Sequence, residues 1–82
     1  MSLTGVAYRD RKMQEFALEV CESNLDAFTD YMQLFLSDMR NSLESDSMWR
    51  LSTKQENTLF GNADRVDTDW RRRFYNSFKG AT

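Results

Sequence analysis

The chain has 82 residues, of which 40% are hydrophobic and 29% charged, and its formal net charge is −2. This composition is typical of a soluble, folded protein, and the length suffices for one small domain over residues 1–82. Pro is absent and Gly occurs three times, so residues that interrupt helices are few. A largely disordered chain and a chain of several domains are both excluded.

The residues available for chemistry are limited, because the sequence has no His and a single Cys, Cys21. A structural zinc site within one chain is therefore excluded, as is catalysis based on imidazole. We expect no enzymatic activity, no catalytic residues, no metal, no cofactor and no small-molecule substrate. With one Cys, no signal-like segment and no apolar run of membrane-spanning length, we expect a cytoplasmic protein without a transmembrane segment.

The charges are distributed unevenly along the chain. Residues 1–12 carry a net charge of +2, residues 13–48 carry −7, and residues 49–82 carry +3. No repeat, low-complexity tract or Gly/Ser-rich linker accompanies these changes. They therefore indicate a boundary between helices rather than between domains.

Apolar residues recur at helical spacing between residues 8 and 43, which predicts one long amphipathic helix. Their alternating steps of three and four residues are the heptad pattern of helices that pack along a seam. This predicted seam, a candidate interface for an oligomer or partner, consists of Leu18, Cys21, Leu25, Phe28, Met32, Phe35 and Met39.

A second apolar series lies beside the first on the predicted long helix. It consists of Met13, Ala17, Val20, Asn24, Ala27, Tyr31 and Leu34. The remaining arc is mostly charged and is expected to face water, with Phe16 and Leu36 as its apolar exceptions. A helix of this length would measure roughly 50 Å.

Two adjacent seams admit two interpretations. They can form the core of one chain, or one of them can pair with another molecule. The C-terminal part of the chain offers a single apolar face, so a second copy of the long helix could cover the remaining seam. We therefore expect a homo-oligomer or a helical protein partner.

A short second helix is predicted at about residues 47–60, after the polar turn at residues 45–47. Ser52 with Gln55, or Thr53 with Glu56, has the spacing of a capping box. Gly61 follows, and it either ends this helix or only kinks it. Both alternatives stay open at this point.

The last segment, about residues 63–79, predicts an amphipathic helix with Ala63, Val66, Trp70, Phe74 and Phe78 on its apolar side. Together the elements predict an all-α fold, in which a long helix and one or two shorter helices fold back as a helical hairpin or a three-helix bundle. We expect a non-catalytic protein that acts through protein–protein association, in self-assembly or as an adaptor or regulator.

An arginine cluster near the C-terminus supports an alternative function. Cations alternate with aromatic residues there, as in proteins that bind nucleic acid, and an accessory protein of that kind is the alternative hypothesis. The acidic balance of the chain and the acid-first pairs at i and i+4, Asp67 with Arg71 and Asp69 with Arg73, favour helix-end electrostatics or a salt-linked protein contact instead. The candidate contacts for an anion or a partner are Arg65, Arg71, Arg72 and Arg73.

Cys21 has two interpretations because it lies within the first seam. A thiol at such a position behaves as a small hydrophobic group, so we expect Cys21 to be buried and inert. The alternative is a disulfide between two subunits of an antiparallel dimer.

Overall fold

The computed structural model describes residues 5–46 and 51–80, and the side chains of residues 9–46 and 51–77. These ranges contain helices and no strand, so the predicted all-α class is confirmed. The elements in chain order are α1 (Gly5–Glu22), a short 3₁₀ helix (Leu25–Ala27), α2 (Asp30–Ser45), α3 (Thr53–Val66) and α4 (Trp70–Gly80).

Helix α1 is the centre of the fold, and α2, α3 and α4 all pack against it. Each of the four helices contributes a large, fully buried side chain to one core: Leu18, Leu36, Leu59 and Trp70. Burial of a side chain of this size contributes about 1.5–3 kcal/mol to folding. The arrangement is a bundle around α1.

The prediction of one long helix over residues 8–43 was wrong. Helix α1 ends at Glu22 and α2 begins at Asp30. The longest dimension of the structure is 35 Å, which is shorter than the roughly 50 Å of the predicted helix. The chain turns between the two helices, so α2 folds back onto α1.

Local polar side chains stabilise the break between α1 and α2. Thr29 is the N-cap of α2, and its hydroxyl accepts a hydrogen bond of 3.2 Å from the backbone N–H of Met32. The amide of Gln33 donates to the carbonyl oxygens of Leu25 and Phe28, at 3.0 and 3.1 Å. These bonds offer the backbone an alternative to a continuous helix.

The second predicted helix begins later and ends later than expected. Ser52 and Gln55 form the capping box, so α3 begins at Thr53, while residues 47–50 lie outside the described residues. Gly61 does not end the helix. It lies within α3, which continues to Val66. A helix that has already been capped and packed tolerates one Gly at modest cost.

The predicted helix over residues 63–79 is divided between α3 and α4. The break follows Val66, where the Asp67 side chain accepts a hydrogen bond of 3.0 Å from the backbone N–H of Asp69. Ala63, Trp70 and Phe74 are nevertheless buried as predicted, because both helices pack the same apolar arc into the core. The side chain of Phe78 lies outside the described residues.

Two buried polar side chains of α1 hold the ends of the neighbouring helices. Arg11 donates hydrogen bonds to the carbonyl oxygens of Leu43 and Asp46, at the end of α2. Gln14 donates to the carboxylate of Glu56 and accepts from the backbone N–H of Leu51, at the start of α3. Helix α1 thus fixes both sides of the α2–α3 connection.

Candidate protein interaction surface

The predicted seam is not a continuous face of the folded chain. Its residues fall on both sides of the break after α1 and mostly pack inside one molecule, which corresponds to the intramolecular interpretation. Leu25 is 39% exposed, whereas Met32 and Phe35 are partly buried against the core. The remaining four residues are buried: Leu18, Cys21, Phe28 and Met39.

Cys21 is a free, fully buried thiol in the core. Its pKa is raised from the ordinary value of 9.0 to about 11, chiefly by burial and also by the neighbouring charge of Glu22, while Arg65 opposes the shift. The predicted burial is confirmed. The thiolate needed for nucleophilic chemistry is thus disfavoured at neutral pH.

The outward side of α2 presents two large apolar side chains to solvent. Tyr31 is 76% exposed and Leu34 is 66% exposed. They lie three positions apart on one helix, so they are neighbours on its surface. We call Tyr31 and Leu34, with the flanking Asp30 and Asp38, the α2 face.

Sequence reasoning placed Tyr31 and Leu34 in the second seam, where they were expected to be covered. Their exposure follows from the break, because α2 is rotated relative to the predicted helix. Leu36, which was expected to face water, is fully buried. Periodicity measured over α2 alone would have found this orientation, since the residues on its inner side are Met32, Leu36, Met39 and Leu43.

The α2 face is acidic. Asp30 and Asp38 each lie four residues from Leu34, one on either side, and both are exposed. In the described part of the chain, neither carboxylate forms an ion pair with a Lys or Arg. The single basic residue of α2, Arg40, forms a two-pronged contact with Glu22 of α1, at 2.7 and 3.0 Å.

The first residue of the arginine cluster in α4, Arg71, is held by Asp64. Its guanidinium donates two hydrogen bonds of 3.1 Å to this carboxylate, and it lies 5.2 Å from the ring centroid of Phe60. The indole N–H of Trp70 donates a third bond of 2.7 Å to Asp64. The bonds from Arg71, with a further one from Trp70, hold the pKa of the Asp64 carboxyl below its ordinary value.

The other two arginines of α4 also pair with aspartates from the α3–α4 turn. Arg72 contacts Asp69 at 3.2 Å, and Arg73 forms an ion pair with Asp67. The pairs expected at i and i+4, Asp67 with Arg71 and Asp69 with Arg73, are not among the ion pairs of the described residues, because these aspartates precede α4 rather than lying within it. The cluster is therefore salt-linked within the chain.

Arg65, the fourth candidate, lies on α3 and contacts the segment between α1 and α2. Its guanidinium donates a hydrogen bond of 3.0 Å to the carbonyl oxygen of Ala27 and lies 5.2 Å from the ring centroid of Phe28. Arg65 therefore fastens the 3₁₀ segment to α3. Its contacts differ from those of the α4 arginines, which pair with aspartates.

An open groove of about 440 Å³ lies between α1, α3 and α4. Asp64 and Arg71 in its wall bind each other, and Glu56 accepts the hydrogen bond from Gln14. The hydroxyl of Tyr75 reaches the sulfur of Met13 at 4.0 Å. These polar groups join helices to one another, so the groove offers few groups to orient a ligand.

Membrane-spanning helices and groups of metal-binding side chains are both absent from the described residues. No described helix combines the length and apolar character that crossing a membrane requires. Among the described residues, no group of three or more His, Cys, Asp or Glu side chains is arranged to hold a metal ion.

Comparison of the chain with models of known protein families, with curated proteins and with solved structures finds no significant match.

Proposed function

We propose that the protein is a non-catalytic binding protein that acts through protein–protein association at the α2 face. The observation that carries the proposal is the exposure of Tyr31 and Leu34, side by side on one helix. Large apolar side chains in adjacent exposed positions mark interaction sites when they are surrounded by polar residues. Tyr is also enriched among the residues that dominate binding energy.

The α2 face can supply a substantial part of the energy of a specific contact. Complete burial of a side chain the size of Leu or Phe contributes about 1.5–3 kcal/mol. Tyr31 and Leu34 together would therefore form the centre of a modest interface, to which surrounding contacts add. A helical partner fits best, because a helix can pack its own apolar stripe along a single exposed helix face.

The α2 face is separable from the fold. The core side of α2 is formed by other residues, including Leu36, Met39 and Leu43. Substitutions at Tyr31 and Leu34 are therefore expected to leave the bundle intact. This separation suits a protein whose folded scaffold presents a binding surface.

Nucleic acid is the less favoured partner. Arg71, Arg72 and Arg73 are each engaged by an aspartate of the same chain, which reduces the charge available for phosphate. The absence of His from the sequence and the internal pairing of these arginines support a non-catalytic role.

A selection experiment tests the proposed function. A library of displayed helical peptides is selected for binding to the wild-type protein, and the recovered peptides are then assayed against the double variant Tyr31→Ser, Leu34→Ser. We expect a class of peptides that bind the wild type and lose binding to the double variant. Leu25→Ser is the matched control, because it removes an exposed apolar side chain outside the α2 face.

Circular dichroism and the urea unfolding midpoint verify that the variants stay folded. Peptides that bind all three proteins equally, or a selection that recovers none, would contradict the proposed function.

A further inference from the structure

Resting on the proposed function, we infer that the partner of the α2 face is a cationic amphipathic helix of another protein. Two features support this inference: the exposed apolar pair, and the flanking carboxylates of Asp30 and Asp38, which form no ion pair within the described residues. The experiment below separates this inference from the broader claim that the α2 face binds protein.

The exposed charged side chains of α2 itself all have one sign. The residues of α2 classed as exposed are Asp30, Tyr31, Leu34, Ser37, Asp38, Asn41, Glu44 and Ser45. No Lys or Arg occurs among them, and the one basic side chain of α2, Arg40, is bound to Glu22. A partner with Lys or Arg beside its apolar stripe is therefore complementary to this face.

The spacing of the carboxylates defines the complementary pattern. Asp30 and Asp38 are eight residues apart on one helix, which corresponds to about 12 Å along its axis. Leu34 lies midway between them. A partner helix packed alongside matches this arrangement when Lys or Arg occupies positions i and i+8, which are also about 12 Å apart, with an apolar residue at i+4 opposite Leu34.

A second copy of the chain does not fit the α2 face. In an antiparallel pair centred on Leu34, Asp30 of one copy would lie beside Asp38 of the other. In a parallel pair, each aspartate would lie beside its own counterpart. Both arrangements bring like charges together next to the apolar contact, which disfavours pairing.

A synthetic peptide provides the test. The probe is a fluorescently labelled helical peptide of about 18 residues, built from Ala, Leu and Lys in the pattern above. Two companions have the same length: one carries Glu in place of Lys, and the other has the Lys peptide's composition in scrambled order. Binding to the wild-type protein is measured by fluorescence anisotropy at low and moderate salt.

We expect the Lys peptide to bind, and its affinity to fall as salt rises because the exposed carboxylates are screened. Leu34→Ser should weaken binding by about tenfold or more, since it removes most of the buried apolar contact. Asp38→Asn should weaken it severalfold. Asp26→Asn is the matched control, because Asp26 is an exposed carboxylate outside the α2 face, and it should leave the affinity unchanged.

Several results would overturn the inference. They are equal binding of the Glu or scrambled peptide, no binding of the Lys peptide, and an affinity that does not respond to Asp38→Asn. A wild-type dimer in sedimentation equilibrium that Leu34→Ser dissociates would identify a second copy as the occupant instead. If the library selection recovers neutral or acidic peptides that depend on Leu34, the proposed function stands and the cationic partner is wrong.

Discussion

The guanidinium of Arg11, near the middle of α1, donates a hydrogen bond of 2.6 Å to the carbonyl oxygen of Leu43, in the last turn of α2. A second bond of 2.9 Å reaches the carbonyl oxygen of Asp46. The last carbonyl groups of a helix have no partners within it, and their partial negative charge favours a cation. Arg11 is 9% exposed, so it provides this cap in a site that water reaches poorly.

Replacement of Arg11 should destabilise the fold. We expect Arg11→Met to lower the free energy of unfolding by about 2–3 kcal/mol, because the buried carbonyl group of Leu43 and the partly buried one of Asp46 lose a charged donor. Urea denaturation followed by circular dichroism measures the change. Arg9→Met is the matched control on the same helix; Arg9 is exposed, and the expected change is below about 0.5 kcal/mol. Equal effects of the two substitutions would contradict the capping role.

Gln14 should contribute through two specific partners. Its amide donates a hydrogen bond of 2.7 Å to Glu56, and its oxygen accepts from the backbone N–H of Leu51 at 3.3 Å. We expect Gln14→Met to cost about 2 kcal/mol, because a buried N–H and a carboxylate lose their partner while the side-chain volume is kept.

A double-mutant cycle isolates the contact between Gln14 and Glu56. Gln14→Met and Glu56→Ala together should cost less than the sum of their separate effects, by about 0.5 kcal/mol or more. The same cycle with Glu44→Ala, an exposed residue in the last turn of α2 that is not a hydrogen-bond partner of Gln14, should be additive. Additivity in both cycles would show that the 2.7 Å bond carries no coupling.

The helical class and several contacts were readable from the sequence because they depend on local signals. The Ser52–Gln55 capping box acts within one turn, and the buried positions of Ala63, Trp70 and Phe74 follow from helical periodicity. These signals hold even where the helix bounds shift. They therefore predicted the elements better than the connections between them.

The break after α1 was not predicted because the apolar series continues through it at heptad spacing. Thr29 and Gln33 stabilise the turn with hydrogen bonds that a continuous helix would replace, and sequence periodicity does not rank the two alternatives. The exposure of Leu34 depends on this turn, so the candidate surface could not be located either. The partner of Arg11 lies 32 residues away and becomes evident only in three dimensions.

Acid should remove the stabilisation that Asp64 provides. Its folded-state pKa is below the ordinary value of 3.8, so its contribution is present above that value and is lost as the pH falls through the lower folded pKa. Asp64→Asn should cost about 1 kcal/mol near neutral pH, a modest figure because the side chain is half exposed.

The measurement for Asp64 compares urea unfolding of wild type and Asp64→Asn between pH 2 and pH 7. The difference in unfolding free energy should shrink at the acid end. Asp26→Asn is the control, since Asp26 is exposed and should show a small difference throughout. A wild-type advantage over Asp64→Asn that grows as the pH falls would contradict the ion-pair assignment.

Cys21 should be unreactive in the folded protein. With a pKa of about 11 and no solvent exposure, roughly one thiol in a thousand is ionised at pH 8, and reagent does not reach it. Ellman's reagent should therefore modify the native protein no faster than the bundle unfolds. In guanidinium chloride, where the protein is unfolded, it should modify Cys21 at once. Rapid modification of the native protein would place the thiol at the surface. A disulfide-linked dimer under oxidising conditions would do the same.

Thr29 should stabilise the turn that exposes the α2 face. Its hydroxyl accepts the hydrogen bond from the backbone N–H of Met32, and loss of such a cap costs about 1 kcal/mol. Thr29→Ala should therefore lower the free energy of unfolding by about that amount. Thr58→Ala is the matched control within α3, where Ala is the better helix former, and it should be neutral or stabilising by a few tenths of a kcal/mol. Urea unfolding of both variants measures these changes. If Thr29→Ala lowers the free energy of unfolding no more than Thr58→Ala does, the cap does not stabilise the turn between α1 and α2.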